Sequence, residues 1–282
     1  MQLSPSILHN LHRQAIAAAT QAGEYIAHHK ASTVEHKTAG SSLASQVVTE
    51  VDRASQAIIV SALAESIQKY DLGLLAEESK DDGSRLSKDY FWCIDPLDGT
   101  LPFIENRPGY AVAIALIQKS GIPVIGVVYD PRAGQCYSAL KGGGLFLNGK
   151  AWTLPRTKSS QLTIFHHRSL LKHPDFDHII QEKKKELSAE QYAHCELIAH
   201  GGAIMNAIWC MTKAPAYYFA LPKKEQGGGC LWDYAASVCL FNEAGLKVSD
   251  YHHQALMLNS PDSIYMNRFG VIYENLMTAD SE

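Results

Sequence analysis

The segment from Tyr90 to Thr100 constrains this chain more than any other. Tyr90-Phe91-Trp92-Cys93-Ile94 is an apolar run of strand length, and it leads directly into Asp95-Pro96-Leu97-Asp98-Gly99-Thr100. An apolar run of this kind, bounded by turn signals, reads as a strand buried on both faces. Two carboxylates then stand three residues apart at its end, with a proline fixing the backbone between them, so they can face one point in space. Together with a main-chain carbonyl they make a hard oxygen site, suited to Mg²⁺ or Mn²⁺. Gly99 permits close backbone approach, and a helix opening near Thr100 would aim the amides of Gly99 and Thr100 at an anion. The bland alternative is an Asx-type turn with an aspartate as helix cap. For a bare D-x-x-D-G it would win, but the full six-residue string arises by chance at on the order of one in ten million positions.

The rest of the pattern frames that turn. Helices are predicted over residues 4–28, opened by Ser4-Pro5, and over residues 49–70, with Val51, Ala54, Ile58, Leu63 and Ile67 on the inner face. Between them Lys30 to Ser45, rich in Ser, Thr, Gly and Lys, reads as a mobile loop. Strands are predicted at 72–76, 90–94, 110–118 and 122–129, the last two joined through Lys119-Ser120-Gly121 as a hairpin, with a further hairpin over 134–149 ending at Asn148-Gly149. Beyond Trp152, strands at 162–165, 196–199, 216–221, 246–248 and 263–266 alternate with helices at 203–211 and 231–244, and a short helix closes the chain. Residues 176–188 show no clear packing face; Lys183-Lys184-Lys185 between Glu182 and Glu186 reads as a solvated helix surface. The whole predicts layered α and β elements. Residues 1–152 form an N-terminal α+β part with most of the carboxylates, and residues 153–282 a C-terminal α/β part.

Composition narrows the function classes. The chain has 282 residues, 46% hydrophobic and 19% charged, which suits a large buried core and excludes a disordered chain. Lys and Arg number 25 against 29 Asp and Glu, a net charge of −4, so no global attraction to nucleic acid or an anionic membrane is expected. The longest apolar run, Tyr110 to Ile117, is far short of the ~18 residues a membrane span needs. The first residues lack a basic segment followed by an apolar one, so no secretory signal is expected. The six cysteines form no C-x-x-C and read as buried thiols of a reducing compartment, which places the protein in the cytoplasm.

Three further acidic positions are ordinary one at a time. Glu77-Glu78-Ser79 ends a predicted strand, Trp232-Asp233-Tyr234-Ala235-Ala236 opens a helix, and Val48-Thr49-Glu50-Val51-Asp52 opens another with Thr49 as its cap. Taken with Asp95 to Thr100, they resemble the inositol monophosphatase superfamily of metal-dependent, lithium-sensitive phosphatases. The family pattern runs V-T-x-x-D, G-E-E-S, D-P-I/L-D-G-T, G-x-F-x-N-G and W-D-x-A-A-G. Here it reads Val48 to Asp52, Ala76 to Ser79, Asp95 to Thr100, the hairpin around Phe146-Leu147-Asn148-Gly149, and Trp232 to Ser237. Ala76 and Ser237 replace family glycines, and neither change removes a ligand.

The resemblance implies an αβαβα sandwich of the inositol monophosphatase and fructose-1,6-bisphosphatase type, a homodimer, and two to three Mg²⁺ ions, with Mn²⁺ as a substitute. It implies that Glu77, Asp95 and the Leu97 carbonyl bind one metal, that Asp95, Asp98 and Asp233 bind a second, and that Glu77 reaches a third. Thr100 would orient the attacking water with Glu77, Asp52 would hold Thr100, and Asp98, Gly99 and Thr100 would receive the phosphate. The grouping has a physical reason: a phosphate monoester dianion repels hydroxide, so cations must neutralise it, supply the nucleophile and stabilise the leaving alkoxide. A scaffold without cations would leave four buried carboxylates uncompensated.

The resemblance implies a small phosphorylated metabolite as substrate, and two branches compete. Inositol-specific members look like Y-Y-E-x-G ahead of W-D; this chain reads Tyr217-Tyr218-Phe219-Ala220-Leu221, with Phe219 in place of the Glu. That, with Gly201-Gly202-Ala203 and Leu221-Pro222, is more similar to 3′(2′),5′-bisphosphate nucleotidases, which convert 3′-phosphoadenosine 5′-phosphate to AMP. Asn206 stands where some nucleotidases carry a phosphate-binding Lys, and Lys223 or Lys224, in an insertion ending at Gly229, could substitute. Gly202, Asn206, His167 and Lys223 are therefore the candidate substrate contacts, with His166 beside them and Lys37 reaching in from the loop. The other branch is an inositol or sugar phosphatase, and a third reading is a non-catalytic nucleotide- or metal-binding protein that retains the fold.

Overall fold

The computed structural model describes residues 2–29, 34–36, 47–155, 159–224, 227 and 229–276. The first helix, α1 (Pro5–His28), opens on Ser4, whose hydroxyl accepts the Ile7 amide. It buries a stripe of Leu11, Ala15, Ala18, Ala19, Ala22 and Ile26. Strands β1 (Val34–His36) and β2 (Val47–Thr49) pair antiparallel. Val34–His36 thus forms a strand within the segment expected to be a loop; the rest of that expectation, with Lys37, lies outside the described residues. The second helix, α2 (Glu50–Lys69), starts in a capping box between Thr49 and Asp52. Its buried face is Val51, Asp52, Ser55, Gln56, Ile59, Leu63 and Ser66, while Ala54, Ile58 and Ile67 are only half-buried. The helix is rotated from the expected face because Asp52, Ser55 and Gln56 near its start turn inward, toward Thr100, the Pro96 carbonyl and the Glu78-Ser79 turn after β3.

Seven strands form the first sheet: β3 (Gly73–Ala76), β4 (Tyr90–Asp98), β5 (Ala111–Gln118), β6 (Pro123–Asp130), β7 (Gln135–Leu140), β8 (Gly144–Leu147) and β9 (Lys150–Trp152), in that order. Only the β3–β4 pair is parallel. Two one-turn helices, α3 (Ser84–Ser87) and α4 (Thr100–Ile104), flank β4. The second sheet runs β11 (His194–Ile198), β10 (Gln161–His166), β12 (Ala216–Ala220), β14 (Val271–Asn275), β13 (Lys247–Ser249). The remaining helices are α5 (Phe176–Glu186), α6 (Ala203–Thr212) and α7 (Leu231–Glu243).

Burial sorts these into five layers, α–β–α–β–α. One face of the first sheet (Trp92, Ile94, Val112, Ile114) packs under α1 and α2. Its other face (Phe91, Cys93, Ala111, Ala113) packs on α6 and α7, which also cover Ala216, Tyr218 and Tyr273 of the second sheet. The far face of the second sheet (Ile164, Tyr217, Phe219, Ile272) takes Ile180 of α5. Burial on both faces is why these strands read as continuous apolar runs. The first sheet ends at Trp152 and the second begins at Gln161, yet the middle core draws on both. Asn259 adds a polar tie, donating to the carbonyls of Arg85 and Lys119 while accepting from Arg85.

The expected hairpin over residues 134–149 is formed by β7 and β8, and Asn148-Gly149 at its end turns the chain on into β9. Two expectations are corrected. Residues 263–266 contribute only an isolated bridge between Tyr265 and Cys230; a 3₁₀ turn over Asn267–Phe269 and strand β14 follow, and residues 277–282, at the end of the chain where a short helix was expected, lie outside the described ones. Lys183 is buried rather than solvated: its ammonium bonds Glu186 at 2.6 Å and lies 4.6 Å from the Tyr251 ring centre, with its stem between α5 and the sheet.

Candidate active site

The turn after β4 is built by a break in its ladder. Asp95 pairs with Ala113 and Asp98 with Ala111, so three residue steps on one strand face two on the other. Such a bulge re-aims side chains. Ser55 on α2 donates to the Pro96 carbonyl at 2.7 Å and holds the bulge from below. Gly99 then takes φ 81°, and a Cβ there would lie 2.5 Å from the Gly109 carbonyl oxygen, so only glycine fits. The helix α4 begins at Thr100, as expected.

One carboxylate oxygen from each of Asp95, Asp98 and Asp233 lies within 4.8 Å of the others. Asp95 is buried; its Oδ1 accepts the Leu97 amide at 3.1 Å, and its Oδ2 is buried with no hydrogen-bond partner. Burial, then the charges of Glu77, Asp98 and Asp233, push its carboxyl far above the usual range. Asp98 accepts the amides of Ala203 at 3.2 Å and Ile204 at 2.8 Å, at the start of α6. Burial raises its pKa to about 7, against the opposing pull of the Ile204 N–H. Asp233, in the first turn of α7, accepts the Cys230 amide. Glu77 stands at the end of β3, which pairs with β4 through Ala76 and Ile94, and its charge acts on both Asp95 and Asp98. It lies beside the three converging oxygens, not among them.

The neighbouring polar groups form a braced second tier. The Thr100 hydroxyl donates to Asp52 Oδ1 at 3.2 Å and approaches the Leu97 carbonyl at 3.4 Å. Asp52 also accepts from the Thr49 amide and hydroxyl, and burial raises its pKa. Gln56 accepts the Glu78 amide at 2.8 Å and donates to Ser79 at 2.7 Å, strapping the Glu77 turn to α2. The sequence reading missed Ser55 and Gln56. Their signal was present, as two polar residues on the inward face of an otherwise apolar helix.

The candidate substrate contacts divide. Gly202 caps α6 against Asp98, where a Cβ would lie 2.3 Å from Oδ2, so it acts as a spacer for that carboxylate. Asn206 is fully buried with its amide turned back to the Gly201 carbonyl, which does not present it to a substrate. His167 is half-buried and its Nε2 meets the Tyr218 hydroxyl at 2.9 Å. Lys223 is half-buried near it. His166 is buried against Phe176 and Phe219 rather than solvated. Phe219 lies in the core under α5, on the opposite face of β12 from Tyr218, whose surroundings include Asp98 and Asp233. Its ring therefore does not line the carboxylate cluster, and the argument against an inositol phosphate from that position lapses.

Residues 7–280 match the Inositol monophosphatase family. The chain belongs to that family. It is a phosphatase of a metal-dependent kind. Among its relatives, the Nus factor SuhB of Escherichia coli strain K12 is 31% identical over 255 residues, 86% of each chain. Inositol monophosphatase 2 of Solanum lycopersicum is 37% identical over 143 residues, 49% of this chain and 51% of that one. The solved inositol monophosphatase of Anabaena (Nostoc) sp. PCC 7120 superposes with a TM-score of 0.70 at 22% identity, covering 95% of this chain and 92% of that one, and shares its five-layer fold. No helix among the described residues is long and apolar enough to cross a membrane.

Proposed function

We propose that the chain is a Mg²⁺-dependent phosphomonoesterase that hydrolyses a small phosphate ester with water as nucleophile. The observation that carries this is the orphaned, buried Oδ2 of Asp95 beside carboxylates of Asp98 and Asp233. Buried carboxylates so close together are costly unless a cation joins them, and a set of oxygens alone suits Mg²⁺, with Mn²⁺ as a substitute. Asp95, Asp98, Asp233, the Leu97 carbonyl and Glu77 are the residues that would hold two to three ions. When bound, the cation neutralises phosphoryl charge and lowers the pKa of a water.

The chain's own groups do the positioning. The Thr100 hydroxyl donates its hydrogen bond to Asp52, which leaves the Thr100 oxygen as an acceptor able to orient a water together with Glu77. Gly99 and Thr100, at the opening of α4, receive the phosphate beside Asp98. The closed pattern of Thr49, Asp52 and Thr100 fixes this group before substrate arrives, which is where positioning gains most in phosphoryl transfer.

On substrate, the reading is a nucleoside 3′(2′),5′-bisphosphate. Its support is Lys223, a cation whose charge acts on His167, the hydrogen-bond partner of Tyr218. The second reading, an inositol or sugar phosphate, is no longer opposed by Phe219, which packs away from the cluster. Phosphate release with Mg²⁺, side by side on 3′-phosphoadenosine 5′-phosphate and inositol 1-phosphate, separates them. No Mg²⁺-dependent release from either would sink the phosphatase reading itself. The same proposal includes a cytoplasmic homodimer whose turnover Li⁺ inhibits, and full activity at high Li⁺ with limiting Mg²⁺ would count against it.

A further inference from the structure

Three polar side chains of α2 reach three different segments of the site. Asp52, Ser55 and Gln56 stand at positions i, i+3 and i+4, so they share one face of the helix. Asp52 accepts the Thr100 hydroxyl at 3.2 Å, and Ser55 donates to the Pro96 carbonyl at 2.7 Å. Gln56, also buried, reaches the turn after β3. Its Oε1 accepts the Glu78 amide at 2.8 Å, and its Nε2 donates to the Ser79 hydroxyl at 2.7 Å. One side chain thus closes on the two residues that follow Glu77. Residues 52 and 56 are ~6 Å apart along the helix axis. That fixed step separates the tie to Thr100 from the tie to the Glu77 turn.

The Glu77 turn needs such a tie more than the aspartates do. Asp95 and Asp98 lie on a nine-residue strand with a neighbour on each side, and Asp98 is held again by the amides of α6. Glu77 leaves a four-residue strand at the edge of the first sheet. The pairing of that strand with β4 ends at Ala76 and Ile94, where neighbouring strands are ~4.8 Å apart, so Glu77 and Asp95 emerge side by side. The Glu77 amide donates to the Ile94 carbonyl and the Ser79 amide to the Ala76 carbonyl, both at 3.2 Å. These two bonds hold the turn to its own sheet. Gln56 holds it to α2, and through α2 to Thr100. A side-chain amide suits this task, because it offers an acceptor to a main-chain N–H and a donor to a hydroxyl at once. It is also uncharged, unlike a Lys or Arg in its place, so it does not compete with a cation for the Glu77 carboxylate.

We infer that Gln56 is a positioning residue of the reaction: it fixes the Glu77 turn relative to Thr100, and so sets the affinity of the ion that Glu77 shares with Asp95 without altering the ion among Asp95, Asp98 and Asp233. The inference rests on the phosphomonoesterase reading and deepens it. Groups that orient a metal ligand from behind are worth roughly ten- to a hundredfold in metal affinity or activity.

The test titrates Mn²⁺ alone into the metal-free protein by calorimetry, and measures KM and kcat with Mg²⁺ on whichever of inositol 1-phosphate and 3′-phosphoadenosine 5′-phosphate is cleaved faster. Gln56→Met keeps the bulk and loses both bonds. Gln56→Glu keeps the acceptor for the Glu78 amide and can accept from the Ser79 hydroxyl. Ser79→Ala removes one contact on the exposed side of the turn. Gln56→Met should weaken one Mn²⁺ by about tenfold or more and leave the other as in wild type. It should lower kcat at saturating Mg²⁺ with KM unchanged, because the phosphate is received elsewhere. Gln56→Glu should retain most of the affinity. Ser79→Ala should weaken the same ion less, and should add nothing to Gln56→Met. Wild-type binding of both ions by Gln56→Met, equal weakening of both, or additive effects of the two substitutions would overturn the inference; a general loss of stability would lower Tm without singling out one ion. If wild type cleaves neither ester, the function proposed above fails, and the Mn²⁺ titrations alone decide the role of Gln56. If Gln56→Met does not fold, Ser79→Ala decides it, and unchanged Mn²⁺ binding there overturns the inference.

Discussion

Replacing Gly202 by alanine is the sharpest small perturbation of this site. Gly202 has φ −62° and ψ 174°, a conformation alanine adopts freely, so any effect comes from contact and none from backbone strain. The new methyl would lie 2.3 Å from Asp98 Oδ2 and 2.6 Å from both Cγ and Oδ1. An unstrained contact needs about 3.5 Å, so the carboxylate must withdraw by roughly 1 Å. It cannot do so and keep its bonds to the amides of Ala203 and Ile204 at 3.2 and 2.8 Å. Overpacking costs about 1–3 kcal/mol, and the strained amide bonds add to it, for a total of about 2–4 kcal/mol. With an unfolding entropy of ~2.1 cal/mol/K per residue over 282 residues, that lowers Tm by about 3–7 °C. A ligand displaced by 1 Å should also cost on the order of a hundredfold in turnover. Thermal melts with and without Mg²⁺, alongside phosphate release, read both effects. A Gly202→Ala protein with wild-type Tm and wild-type Mg²⁺ activation would refute the reasoning, because it would mean the Asp98 carboxylate is not held where the contact requires.

Other expectations follow from the same geometry. Asp95→Asn keeps the shape but removes the charge at the orphaned oxygen, and should lose nearly all activity together with Mg²⁺-dependent thermal stabilisation; near-normal turnover at saturating Mg²⁺ would sink the assignment. The carboxyls of Asp95 and Asp98 titrate higher in the folded chain than unfolded, so the metal-free protein should lose stability as pH rises from about 4 through about 7. A cation binds the ionised forms, so Mg²⁺ should raise Tm more at pH 8 than at pH 5, and equal shifts would argue against a carboxylate site. His12 is buried against Phe146 with its pKa lowered to about 4, so the folded chain binds fewer protons than the unfolded one between pH 4 and 6.5. Its contribution is present above pH ~6.5 and is lost toward pH ~4, by up to about 3 kcal/mol, and His12→Phe should flatten the acid limb of a stability profile over that window.

The parts of the fold legible in the sequence are those where local chemistry decides the answer. The Asp95 to Thr100 turn is announced by Pro96, which fixes the backbone between two carboxylates, and by Gly99, which permits close approach; its bulge appears only in the strand register. Ser4 and Thr49 mark helix starts by the bonds they make. What stayed illegible depends on which way a face turns. The inner face of α2 is set by Asp52, Ser55 and Gln56, which the apolar period counts as outward-facing. Phe219 alternates with Tyr218 along β12, so its motif position alone does not say which core receives it. Gly202 and Asn206 follow one another by four residues on α6, yet one abuts a carboxylate and the other closes on its own helix start. That difference comes from packing against β4, more than a hundred residues earlier in the chain.

The carboxylate cluster is assembled across the middle layer. Asp95 and Asp98 arrive on the first sheet, Asp98 is held by amides of α6, and Asp233 arrives on α7. A growing chain therefore presents no complete site until α7 has been made and docked, and a chain whose α6 and α7 detach from the first sheet loses its site before that sheet has melted. Cation affinity becomes a readout of assembly: the ion binds only molecules in which the first sheet and the helices packed on its inner face are in register. At a given free Mg²⁺ concentration, the bound fraction counts the correctly assembled molecules in a population, and depletion of the ion should expose the middle layer to proteases before the outer helices give way.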